Sequence, residues 1–158
     1  MKAISLWQPH ASLIPLGLKG YETRSWGTSY QGPLVICSAK RSQKNQHLCW
    51  LAILETMESL GVETSNLPCW DELPFGCAIT IVNLTNCIKM TAEFIAEQTE
   101  SERLVGDWQV GRFAWRLENI RSNAFPIPVR GKQGLFDVDV DLKEELETMP
   151  TAIPRENA

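Results

Sequence analysis

The sequence has no apolar run long enough to span a bilayer. Its start, Met1-Lys2-Ala3-Ile4-Ser5-Leu6-Trp7, lacks the apolar segment and small-residue cleavage site of a secretory signal. A cytoplasmic protein with no membrane contact is expected. Cysteine is sparse and unpatterned: Cys37, Cys49, Cys69, Cys77 and Cys87 form no C-x-x-C pair and their total is odd, which argues against a disulfide framework or a zinc site. The two histidines, His10 and His47, share no ligand spacing with them. No metal and no cofactor is therefore expected. Internal repeats, low-complexity segments and Walker or Rossmann glycine fingerprints are also missing.

What is there suits one domain. A chain of 158 residues with 44% hydrophobic and 22% charged residues can bury a real core. The formal net charge of -4 disfavours nucleic-acid binding until it is divided along the chain. Residues 1–44 carry six bases against the single acid Glu22, and residues 103–136 carry six bases against Asp107 and Glu118. The stretch between them holds nine acids against Lys89, and the end from Asp137 onward is acidic too. Two basic segments folded together would make a positive surface suited to phosphate. Solvated surface charge is the plainer explanation of the same counts.

The patterning predicts several short strands separated by helices, hence an α+β fold. Ala3–Leu6, Leu34–Cys37, Cys77–Leu84, Arg112–Glu118 and Phe136–Val140 read as strands of one curved, mainly antiparallel barrel, and Glu22–Arg24 reads as extended. Trp50, Ile53, Leu54, Met57 and Leu60 recur at helical spacing, so residues 43–60 are expected as a helix outside the barrel, closed by Gly61. Shorter helices are expected from Pro9 to Leu16 and from Thr91 to about Gln98. Residues 62–75 read as a loop, and residues 149–158 as a flexible tail beyond a domain of residues 1–148.

The stretch most suggestive of chemistry is Gly17-Leu18-Lys19-Gly20-Tyr21-Glu22-Thr23-Arg24-Ser25-Trp26. In an extended segment Glu22 and Arg24 share one face. Turned toward a barrel interior, such charges are costly unless paired or used. Lys19, Glu22 and Arg24 together can position an anionic or amide-bearing ligand, or Glu22 and Arg24 can simply be an ion pair that fixes the turn. A second basic stretch, Val129-Arg130-Gly131-Lys132-Gln133-Gly134, can present backbone N–H groups and cations to a phosphate, or can be a basic hairpin turn. Trp50 and Trp115 sit on apolar faces and read as core. Trp7 and Trp26 flank the polar cluster, where an aromatic plane beside cations can stack a base.

These residues resemble the ASCH (activating-signal-cointegrator homology) domain family. The resemblance begins with Ser5-Leu6-Trp7-Gln8-Pro9-His10 and the G-x-K-x-x-E-x-R element formed by Gly17, Lys19, Glu22 and Arg24. It continues through Gly32-Pro33-Leu34, Ala39-Lys40, Phe113-Ala114-Trp115-Arg116 and Val129-Arg130-Gly131-Lys132-Gln133-Gly134. It implies a PUA-like small β-barrel with flanking helices and a cleft lined by these polar groups, serving RNA or modified-nucleoside biology. Related sequences often have an aromatic at His10 and a histidine at Cys37. Short bacterial relatives that deacetylate N4-acetylcytidine use a lysine, a threonine three residues later and a distant glutamate. Lys19 fits the first position, Glu22 stands at the second with Thr23 adjacent, and no counterpart of the distant glutamate aligns.

The sequence reading is thus a binding domain for RNA or a nucleotide-like ligand. Trp7, Lys19, Glu22, Arg24, Trp26, Lys40, Arg130, Lys132 and Gln133 are the expected contacts. One alternative is a hydrolase, an amidohydrolase or ribonuclease, using Lys19 and Glu22 in the same cleft. Another is a protein-interaction adaptor built on the acidic helices and tail.

Overall fold

The computed structural model describes residues 1–139, without the side chains of residues 122–125. In chain order the elements are β1 (Lys2–Leu6), α1 (His10–Leu13), β2 (Tyr21–Arg24), β3 (Gly32–Ser38), α2 (Lys44–Ser59), a 3-10 turn (Trp70–Glu72), β4 (Cys77–Lys89), α3 (Ala92–Ala96), α4 (Glu100–Leu104), β5 (Phe113–Pro128) and β6 (Leu135–Asp137). The strands form one six-stranded sheet in the order β2-β5-β4-β3-β1-β6. Every neighbouring pair is antiparallel except β1 and β3, which run parallel with Ile4 opposite Ile36. The result is a mixed sheet curled into a half-barrel, the α+β architecture expected of a PUA-like domain.

The curl has a local cause. The β4–β5 ladder shifts register at three places, Ala78/Thr80, Ile81/Asn83 and Leu84/Asn86, and β3–β4 shifts once at Ile36/Cys37. Each shift bends a strand and increases its twist. Strand alternation then fills two apolar layers. Ile4, Leu6, Leu34, Ile36, Val82, Leu84, Trp115 and Leu117 share one cluster, while Ala3, Val35, Cys37, Ala78, Ile81 and Phe136 share another.

Helix α2 buries Trp50, Ile53 and Met57 in a third cluster with Leu13, Leu73 and Val105. It therefore packs on α1 and on the segment after α4, and this brings residue 105 close to α1 and the loop behind it. Leu18 and Lys19 both donate their backbone N–H groups to the Leu13 carbonyl, and Gly17 makes the turn at φ +76°.

Some bounds differ from the sequence expectation. The first helix is only His10–Leu13, and the chain continues in turns as far as Gly17. The helix expected from Thr91 ends at Ala96, and a further helix not expected from the sequence, α4, follows because Thr99 caps a fresh turn: its side chain accepts from the Glu102 N–H. Strand β5 runs ten residues past Glu118, to Pro128. Asn119 takes φ 52° there and interrupts the alternation by which a strand is recognised. The expected loop over residues 62–75 contains the 3-10 turn at Trp70–Glu72. Val140 and residues 149–158 lie outside the described residues.

Candidate functional site

Strand β2 pairs with β5, so Glu22 lies opposite Trp115 and Arg24 opposite Phe113. Period two sets Glu22 and Arg24 on one face, and the Arg24 Nε stands 2.9 Å from Glu22 Oε1. From the preceding loop the Lys19 ammonium reaches Glu22 Oε2 at 3.5 Å and donates to the Val105 carbonyl at 2.6 Å. Lys19 is 2% exposed and Glu22 8%. Burial at this level demands partners, and each charge has them. Arg24 is more open and extends to β1, where Nη2 donates to the Ser5 carbonyl at 3.1 Å.

A polar frame holds this group from the other side. The Glu102 carboxylate on α4 accepts the backbone N–H groups of Gly20 and Tyr21. Thr23 Oγ1 accepts from the Asp107 N–H at 2.8 Å. Tyr21, Phe94 and Trp108 pack ring against ring beneath the same segment. Gly106 is required here, because a Cβ would meet the Trp108 indole nitrogen at 2.7 Å and the Thr23 methyl at 3.0 Å.

His10 also faces the Lys19–Glu22 pair. Burial, and then the Lys19 charge, push its pKa below the usual imidazole value, against the opposing pulls of Glu22 and the Val105 carbonyl. Its Nδ1 is buried without a hydrogen-bond partner. Cys37 is fully buried away from this group, with its thiol pushed up to about 12 by burial and by neighbouring Cys77. That environment suits a small core side chain.

Ser5, His10, Lys19, Glu22, Arg24 and Asp107 open onto a cleft of about 1680 Å³, while Glu102 and the Tyr21, Phe94 and Trp108 rings support it from outside the lining. The cleft also collects Trp7, Trp26, Lys40, Arg130, Lys132 and Gln133, so the structure brings every expected contact residue to one place. Two tight approaches build the opposite wall. Gly131 sits directly on the Ser5 side chain, with no room for a Cβ. Gly76 lies beside Lys40, and its carbonyl accepts from the Val129 N–H. The Arg130–Gln133 turn and Lys40 are thereby fixed along one rim. Trp7 is 49% exposed, with the Arg41 guanidinium 5.6 Å from its ring centroid. Trp26 is 37% exposed and packs edge-on against Trp115 at 4.8 Å.

Six cations line the cleft against two carboxylates, Glu22 and Asp107, although the chain as a whole is acidic. Lys19 and Arg24 pair with Glu22, and Arg112 pairs with Asp107 at 3.4 Å. Lys40, Arg130 and Lys132 have no acidic partner among the described residues. Sequence reasoning missed Val105, Asp107, Arg112, Ser5 and Glu102. The one available signal was the Thr99-x-x-Glu102 spacing of a helix start.

A curled half-barrel whose open side carries a basic cleft over a buried ion-paired floor defines a PUA-like α+β domain. The chain belongs to the ASCH domain family, which matches residues 4–149. It is similar to activating signal cointegrator 1 of Homo sapiens and of Mus musculus, at 25% identity over 142 residues in each case. The matched region covers 86% of this chain and 22% of each relative, so the chain spans about a fifth of their length. Among the described residues no helix is long and apolar enough to cross a membrane.

Proposed function

We propose that the cleft binds a short stretch of RNA or a nucleotide-like ligand. The ASCH family is generally RNA-binding. The observation that carries the proposal here is the division of charge within one cavity. Lys40, Arg130 and Lys132 line its rim without acidic partners among the described residues, while Glu22 is held between Lys19 and Arg24 at its floor. Unpaired cations beside partly exposed tryptophans suit a phosphate backbone with a base stacked next to it. In this reading Lys40, Arg130, Lys132 and Gln133 contact the backbone, and Trp7 and Trp26 stack. Arg24 donates to a base carbonyl or a phosphate, Glu22 accepts from a base amine, and Lys19 holds Glu22 in place.

The binding reading is favoured over amide hydrolysis by what the polar groups already do. A general base offers a free lone pair to its substrate, whereas Lys19 donates to the Val105 carbonyl and is ion-paired with Glu22. Where the deacetylating relatives have a threonine, Glu22 stands, and the adjacent Thr23 hydroxyl is occupied by the Asp107 N–H.

Titration of labelled single-stranded RNA at several salt concentrations tests the proposal. Affinity should fall with salt along a shallow slope, as expected of a few phosphate contacts. Binding that ignores salt, or that survives loss of both Arg130 and Lys132, would overturn it. Incubation with N4-acetylcytidine at roughly pH 6 to 9, around the operating range of a general base, should release no cytidine by chromatography. Turnover that disappears in Lys19→Ala would establish the hydrolase instead.

A further inference from the structure

The arrangement of charge inside the cleft says which part of a nucleotide goes where, and then which base fits. This inference rests on the RNA-binding reading. The floor cations Lys19 and Arg24 are each paired with Glu22, whereas the cations without an acidic partner among the described residues are at the rim and attract phosphate most strongly. A nucleotide therefore enters base first, with its phosphates left on Lys40, Arg130 and Lys132.

The base edge that arrives meets a defined row of groups. Glu22 Oε1 is ion-paired with the Arg24 Nε at 2.9 Å and Oε2 with the Lys19 ammonium at 3.5 Å, and neither contact has hydrogen-bond geometry. A carboxylate has about four acceptor sites, so each oxygen keeps at least one. Beside it the Arg24 guanidinium has, among the described residues, a single hydrogen-bond acceptor, the Ser5 carbonyl, for its Nη groups, and further Nη hydrogens remain for a ligand. The row reads donor, acceptor, acceptor.

Each base can be tried against that row. Uracil presents one N–H flanked by two carbonyls, which would face the carboxylate oxygen to oxygen. Cytosine and adenine each present one amine next to a bare ring nitrogen, whose lone pair opposes the second oxygen. Guanine presents a carbonyl, then a ring N–H, then an amine on one edge, which complements Arg24, Oε1 and Oε2 in order. Because Glu22 is anchored on both sides by cations, it is preorganised for this edge and pays little to adopt it. We propose that the floor of the cleft is a guanine-selective pocket, with Glu22 accepting from the ring N–H and the amine and Arg24 donating to the carbonyl.

The test uses the whole chain and fluorescein-labelled hexanucleotides, uridine at every position except one central guanosine, adenosine, cytidine, uridine or inosine. Anisotropy titrations at fixed salt should show the guanosine oligomer binding about tenfold tighter than those with adenosine, cytidine or uridine. Inosine keeps the carbonyl and ring N–H but lacks the amine, and it should fall between. Glu22→Gln should remove the preference for guanosine. The inosine comparison needs no change to the protein, so it decides the matter even if that variant is poorly folded. Binding without preference, or inosine equal to guanosine, overturns the guanine pocket and leaves RNA binding intact. No binding of any hexamer overturns both.

Discussion

The floor and the rim of the cleft use the same residue types for opposite ends. On the floor, Glu22 lies within 3.5 Å of both Lys19 and Arg24, and Lys19 is almost wholly buried. Along the rim, Lys40, Arg130 and Lys132 are cations without acidic partners among the described residues. A buried charge that loses its partner costs several kcal/mol, whereas a solvated lysine can be removed with little effect on folding. The floor is therefore tied to the stability of the domain as well as to any ligand. The rim can change without unfolding anything, which makes it the place where affinity is set.

The largest effect that would sharpen this contrast is on the floor. Glu22→Ala leaves Lys19 with only the Val105 carbonyl, and the loss of a buried partner should destabilise the domain by about 3 kcal/mol. Urea unfolding followed by tryptophan fluorescence reads this directly. An unchanged midpoint would mean that the floor charges are solvated, and the distinction between floor and rim would fail.

A middle-sized effect tests the seam that carries the rim. Gly131 rests on the Ser5 side chain, and Ser5 supplies the carbonyl that Arg24 uses. Gly131→Ala should push the Arg130–Gln133 turn outward, weakening RNA binding while the urea midpoint moves by no more than about 1 kcal/mol. Adding Ser5→Gly should recover the binding by making room. Failure of the double variant to recover would show that the turn is set by something other than this contact.

The rim itself should give an effect on binding alone. Lys132→Ala should weaken RNA about equally whatever the sequence and reduce the salt slope by about one contact. Its unfolding curve should match that of the parent. A sequence-dependent loss would place Lys132 against a base rather than a phosphate.

These contrasts also explain what was legible in the sequence. Glu22 and Arg24 on one face followed from strand periodicity, and the strands and the long helix followed from apolar spacing. The hydrogen-bond acceptor of Lys19 did not. Val105 contributes a carbonyl 86 residues away, and a backbone oxygen leaves no mark in a sequence. The same holds for the Asp107 N–H that occupies Thr23 and for the Ser5 carbonyl that receives Arg24. Charge counts found the two basic segments, but not that Arg112 would be paired while Arg130 would not. Pairing depends on where Asp107 falls in the fold.

The smallest effect concerns His10, where related sequences often carry an aromatic ring. Its folded pKa lies below the ordinary value, chiefly through burial and secondly through Lys19, while Glu22 and the Val105 carbonyl oppose the shift. Above about pH 6.5, the ordinary imidazole value, both folded and unfolded states hold it neutral and its contribution to stability is fully present. As pH falls below that value the unfolded chain takes up a proton that the folded chain resists, so stability is lost. Carboxylates contribute their own slope in acid, so the informative quantity is a difference between two proteins. Urea midpoints measured near pH 7.5 and near pH 5.5, on either side of the ordinary value, should drop less in His10→Phe than in the parent. The phenyl ring also removes the unpartnered buried Nδ1, so the variant should be no less stable than the parent at the lower pH. Equal drops in the two proteins would show that His10 titrates as a solvated imidazole reached by water from the cleft.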